Sequence, residues 1–138
     1  MSLPPPISTV LLDTDVFSFL LKGDSRAGTY LTLIQGSRLA LSFMTVAELF
    51  QWAGVRKWGT QRIAQLEQTL TAYLIIPADL EMCRIWGAAR SAGQAAGKSI
   101  APQDAWIAAT ALRHQIPLVT NNASDFRTIA DLDIRTAP

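Results

Sequence analysis

The chain has 138 residues, 49% of them hydrophobic, with 12 lysines and arginines against 11 aspartates and glutamates, a net charge of +1 and one cysteine. That length suits one domain with a sizeable core. The single cysteine excludes an intrachain disulfide, and the near-neutral balance excludes a uniformly basic nucleic-acid binder, so any basic surface must be segregated from the acids. Mean hydropathy is +0.20, but no apolar run reaches the ~18 residues of a membrane span. No basic leader precedes an apolar stretch, so a cytoplasmic protein is expected.

Residues 1–8 are expected as an extended tail, because Pro4, Pro5 and Pro6 fit neither a helix interior nor a central strand. Residues 9–138 are expected as a single domain. A first strand is predicted over 9–12, followed by a short helix over 14–21 that Gly23 stops. Asp24 or Ser25 is the expected cap of a helix reaching about 35. Residues 38–43 are predicted as a second strand, and Thr45 as the cap of a third helix. A fourth helix is predicted over 61–73, a short strand over 74–77, and a long helix from Asp79 to about 96 that Gly97 ends. Pro102 suits the first turn of the next helix, to about 115. Strands over 118–120 and 133–135 bracket a short helix over 124–130. Alternation of short strands with helices predicts an α/β fold, three layers deep, around a mainly parallel sheet.

Four acids occupy informative positions in that layout. Asp13 follows the first strand, Glu48 lies early in the third helix, Asp104 in the first turn of the helix opened by Pro102, and Asp125 at the start of the segment after 118–120. In a parallel sheet, strand C-termini and the N-termini of the following helices share one edge, so these carboxylates can converge. Packed carboxylates repel and retain protons. A hard divalent cation such as Mg²⁺ or Mn²⁺ relieves that repulsion and stabilises charge on a phosphoryl oxygen. Singly, each acid has a structural alternative: Asp13 and Asp15 as helix caps, Asp104 and Asp125 as partners of helix dipoles, Glu48 as a solvated residue. Taken together, they point to metal-dependent phosphodiester hydrolysis.

Four stretches carry a resemblance: Val10-Leu11-Leu12-Asp13-Thr14-Asp15, Ser42-Phe43-Met44-Thr45-Val46-Ala47-Glu48-Leu49, the run from Asp104 to Leu112, and the run from Leu118 to Phe126. They resemble PIN-domain ribonucleases, and most closely the VapC-type toxins of bacterial toxin–antitoxin pairs. The resemblance spans about 10–134. It implies an α/β/α fold, Mg²⁺ or Mn²⁺ dependence, endonucleolytic RNA cleavage, and metal-binding acids at Asp13, Glu48, Asp104 and Asp125. On this reading Asp13, Glu48 and Asp104 hold the principal ion, while Asp125 completes a second position or orients a water. It also implies water attack, leaving 5′-phosphate and 3′-hydroxyl ends, together with a VapB-like antitoxin as partner and a homodimer. Thr120 matches the small polar residue ahead of the fourth acid, and Asn122 is a further supporting candidate. Asp15 departs from the usual Asn or Ser; it either adds a ligand or caps the helix, and capping is preferred.

Arg56, Lys57 and Arg62 surround Trp58 and offer a phosphate-binding rim, as does Lys98 ahead of Asp104; a solvated helix end is the alternative. Phe17, Phe19, Phe50, Trp52 and Trp58 are candidates to line an antitoxin groove. Cys83 is expected in the core and His114 at a helix end. The competing functions are a haloacid-dehalogenase-type phosphatase, suggested by Asp13-Thr14-Asp15, a phospho-receiver domain, and a non-catalytic PIN-like module that binds RNA or protein. Phe17 stands where the phosphatase expects Thr or Val, and no lysine follows Lys98 to serve a receiver.

Overall fold

The first strand sets the architecture. In the computed structural model, which describes residues 8–138, β1 (Thr9–Leu12) is the middle of a five-stranded sheet. Its partners are β2 (Arg38–Ser42), β3 (Leu74–Ile76), β4 (Leu118–Val119) and β5 (Ile134–Arg135), in the order β3-β2-β1-β4-β5 with every pair parallel. Alternation along the strands divides the core in two. Val10, Leu12, Leu41 and Val119 face one layer, while Leu11, Ala40 and Leu118 face the other.

The first layer is covered by α1 (Thr14–Lys22), α2 (Ala27–Ile34), α4 (Thr60–Leu70) and Leu49 of α3 (Phe43–Val55), through Val16, Phe17, Phe19, Tyr30, Ile34 and Leu66. On the other face α6 (Pro102–His114) contributes Ala105, Ile107, Ala108 and Ala111, with Trp86 of α5 (Leu80–Ala95) packed against them. The result is the predicted three-layer α/β/α arrangement. Parallel strands buried on both faces need continuous apolar runs, which Val10-Leu11-Leu12 supplies.

Several boundaries and placements differ from the sequence reading. The tail expected at 1–8 lies outside the described residues except for Ser8, whose carbonyl accepts the Arg38 N–H at 2.8 Å. Ser42, not Thr45, caps α3: its side chain accepts the Met44 N–H, and the strand ends there. Thr45 lies inside the helix, fully buried. Neither Asp24 nor Ser25 caps α2; the cap position is Arg26, whose N–H donates to the Asp24 carboxylate in the turn before it. The segment predicted as a helix over 124–130 is a single 3-10 turn, Ala123–Phe126. Cys83 is exposed, because α5 turns Met82 and Gly93 inward instead. Phe17 and Phe19 are core residues, edge-on to Tyr73 and tilted against Tyr30, so neither lines an open groove. His114 lines a cavity with Thr9 at the start of β1, the sheet edge opposite the acids. Among the described residues no helix is long and apolar enough to cross a membrane.

Candidate active site

The strand order reverses beside β1: the chain moves from β1 to β2 and β3 on one side, then crosses over to β4 and β5 on the other. A crevice at the carboxyl ends of the strands is expected there. Asp13 sits at that point. Its backbone N–H donates to Val119 across the β1–β4 pair at 2.9 Å, and the residue is 6% exposed. One carboxylate oxygen accepts the Thr14 N–H at 2.8 Å, which caps α1, and the other accepts the Thr120 hydroxyl at 2.7 Å. An ionised carboxylate offers about four acceptor positions, so two remain free for a ligand.

Glu48 comes from α3, one and a half turns past its start. Its Oε1 lies 3.0 Å from the Thr14 hydroxyl, which in turn lies 2.9 Å from the Thr45 hydroxyl. With Glu48 ionised, Thr14 donates to it and Thr45 donates to Thr14. This short relay explains the burial of two threonines and fixes the carboxylate. Thr14 and Thr45 were not among the sequence candidates; their only signal was their place within the two motifs carrying Asp13 and Glu48.

Asp104 enters from the first turn of α6 and Asp125 from the 3-10 turn. The two share the lining of a cavity of about 410 Å³. Burial raises the pKa of Asp104 to about 6, helped by the charges of Asp13, Asp125 and Glu48. Burial likewise pushes up Asp13, with Asp125 adding repulsion, and Glu48, with Asp13 adding repulsion. The four carboxylates therefore feel one another's charge.

Asp15 turns to the neighbouring loop. One oxygen accepts its own helix's Val16 N–H at 2.7 Å; the other accepts the Asn121 N–H at 3.2 Å and the Asn122 side-chain N–H at 3.0 Å. Burial and the charge of Asp13 raise its pKa to about 7. Asn122 also donates its backbone N–H to Thr120 Oγ1 at 3.0 Å, and the buried Tyr30 hydroxyl holds Asn121 Oδ1 at 2.9 Å. Tyr30 and Asn121 are further residues the sequence did not single out. Thr120 is fully buried, as its contact with Asp13 requires.

The donor set is all oxygen, with Cys83 and His114 elsewhere, which suits a hard cation. Among the described residues no three His, Cys, Asp or Glu side chains gather into a ready-made cage. A spread set of carboxylates fits an ion of the Mg²⁺ type, which keeps several waters and takes few ligands directly from protein. Lys98 lines the same cavity as Asp104 and Asp125. Arg56 and Lys57 stand apart, beyond the far end of α3; the Arg56 guanidinium lies 5.3 Å from the Trp52 ring centre, and Arg62 lies 4.0 Å from that of Trp58.

Fold and edge together define an α/β/α protein with an acid-lined site at its switch point. Residues 10–132 match the family model described as PIN domain. The toxin FitB of Neisseria gonorrhoeae is 33% identical over 125 residues, covering 85% of this chain and 90% of that protein. The VapC ribonuclease Y4jK of Sinorhizobium fredii is 32% identical over 133 residues, covering 91% and 94%. Among solved structures, VapBC-1 from nontypeable Haemophilus influenzae matches with a TM-score of 0.80 at 28% identity, covering 93% of this chain and 97% of that one. The chain belongs to the PIN-domain family. That membership displaces the phosphatase and receiver readings.

Proposed function

We propose that this protein is a divalent-metal-dependent endoribonuclease, folded as one domain over 9–138, that hydrolyses RNA phosphodiester bonds and is restrained by a cognate antitoxin. The convergence of Asp13, Glu48, Asp104 and Asp125 from four separate elements onto one sheet edge carries this reading. The relatives named as VapC ribonuclease and as toxin support the reaction, and the VapBC complex supports the partner. It is this set of four intact acids that favours an enzyme over a non-catalytic module.

Asp13, Glu48 and Asp104 would hold Mg²⁺ or Mn²⁺, with Asp125 completing a second position or orienting a water. When bound, such an ion stabilises charge on a phosphoryl oxygen and makes water more acidic. The chain's own residues do the rest. Thr120 and the Thr14 N–H hold both Asp13 oxygens, so this carboxylate meets its ligand in one orientation. The Thr45–Thr14 relay does the same for Glu48. The cap of α1 is Asp13, not Asp15 as expected; Asp15, in the first turn, would brace the Val16 N–H and clasp the loop rather than serve as a ligand, and Asn122 closes the loop that leads to Asp125.

Lys98 would meet the RNA backbone beside the acids. Arg56 and Lys57, a helix length away, would engage only a longer strand, as backbone-positioning contacts. Phe50, which is exposed, and the half-buried Trp52 and Trp58 remain as candidates for a VapB-like antitoxin groove. A homodimer in the cytoplasm completes the proposal. Incubating purified protein with RNA in Mg²⁺ or Mn²⁺, and in parallel with chelator, tests it: ion-dependent cutting is expected, and equal cutting in chelator would contradict it. Light scattering over a wide concentration range tests the dimer, which a persistent monomer would rule out.

A further inference from the structure

The cavity beside the acids is lined by residues of mixed character from two segments. The loop before α6 and its first turn bring Lys98, Ser99 and Asp104, and the 3-10 turn and the residues after it bring Ser124, Asp125 and Thr128, so acids, an ammonium and hydroxyls share one lining. Although Lys98 shares this cavity with two carboxylates, no ion pair joins it to either among the described residues. The ammonium is thus unpaired and open to solvent at the cavity's mouth.

The loop that presents Lys98 is built rather than loose. Gly97 takes the left-handed backbone conformation, at φ 71°, that ends the long helix. The Lys98 N–H donates to the Gly93 carbonyl at 2.8 Å. A Cβ on Gly93 would lie 2.8 Å from the Lys98 carbonyl oxygen, a backbone atom with little room to retreat. The Arg90 guanidinium donates to the Ile100 carbonyl just beyond. The loop is therefore clamped to α5 on both sides of Lys98, which lowers the cost of ordering it around a ligand.

A strand of RNA carries one charge per phosphate. At a four-carboxylate edge the scissile phosphate can rely on a bound cation, but its neighbour along the strand meets repulsion unless the protein supplies charge. A lysine together with hydroxyl-bearing residues in one cavity offers the charge and donors that a phosphate takes. We propose that this cavity is a subsite for the RNA phosphate adjacent to the scissile one, with Lys98 giving the charge and Ser99, Ser124 and Thr128 the hydrogen bonds. The proposal rests on the RNA-cleavage reading and assigns the strand's path beside it.

RNA oligonucleotides spanning a mapped cut, each with one uncharged methylphosphonate linkage near that cut, test the subsite. The parent protein should lose roughly tenfold in kcat/KM when one particular neighbouring linkage is neutral. Lys98→Ala should lose a similar amount on unmodified RNA, be indifferent to that neutral linkage, and show a salt slope shallower by about 0.7. Lys98→Arg should recover most of the loss and the sensitivity. If Lys98→Ala stays as sensitive to the neutral linkage as the parent, or the parent is insensitive at every linkage, the subsite is wrong while the nuclease reading stands. RNA left uncut by the parent in Mn²⁺ overturns both.

Discussion

The two halves of the carboxylate edge are held differently. Asp13, just past β1, and Glu48, on α3, are tied by hydroxyls and a backbone N–H from Thr14, Thr45 and Thr120. Asp104 and Asp125, on α6 and the 3-10 turn, accept no side-chain hydrogen bond among the described residues and open onto the cavity that Lys98 shares. Charge of one sign is thus divided between a rigid half and an adjustable half. On the proposed function, the rigid half would define where a cation sits, and the adjustable half would complete its surroundings and meet the substrate. Orientation by outer hydrogen bonds is usually worth a factor of 10–100 in metal affinity or activity, so in the proposed site the threonines would matter alongside the acids.

Removing an acid from either half should have the largest effect. Asp13→Asn or Asp104→Asn is expected to lower RNA cleavage by on the order of 10³-fold, measured as initial rates in saturating Mn²⁺. The next effects separate the halves. Thr120→Val breaks the bond to Asp13 and the bond from the Asn122 N–H together, and should cost about 10–100-fold, with weaker Mn²⁺ affinity by calorimetry. An unchanged affinity would show that the rigid half needs no such support. Asp15→Asn keeps a side-chain oxygen for the Val16 N–H but disturbs the clasp on Asn121 and Asn122, and a milder, few-fold defect is expected.

Stability should also report the crowding. Asp104 is pushed up to about 6 and Asp15 to about 7 by burial and neighbouring acids. An acid whose pKa is raised on folding binds more protons in the folded state, so stability falls as pH rises from about 4, its unfolded pKa, through its folded value. Metal-free melts of the parent and Asp104→Asn should diverge between pH 4 and pH 7, with the variant the more stable at the upper end. Parallel curves would mean that Asp104 carries no such penalty. Smallest and purely structural, Gly93→Ala should destabilise by about 1–3 kcal/mol as the loop carrying Lys98 is displaced.

Much of this was legible in the residues. Val10-Leu11-Leu12 announces a strand buried on both faces, and Asp13 directly after it lands at the sheet edge. Pro102 and Gly97 mark where α6 begins and where the preceding helix is finished. The supporting contacts were not legible, because they join residues distant in sequence: Thr14 to Glu48, and Thr120 to Asp13. Thr45 looked like a cap because local propensity favours Thr there, yet Ser42 already fills that role and tertiary packing takes the Thr45 hydroxyl for Thr14. Phe17 and Phe19 looked available to a partner, but α1 is covered on two sides, by Tyr73 and by Tyr30. Cys83 faces out because the inward stripe of α5 falls on its neighbours.

On the proposed function, the converging acids make this chain a metal-dependent, water-using ribonuclease. Mapping the ends of RNA cut by the purified protein, with Mn²⁺ or with chelator and with Asp104→Asn in parallel, tests it most directly. The expected products carry 5′-phosphate and 3′-hydroxyl ends, appear only with the ion and are lost in the variant. Cyclic 2′,3′-phosphate ends, or cutting that persists in chelator and in Asp104→Asn, would contradict it.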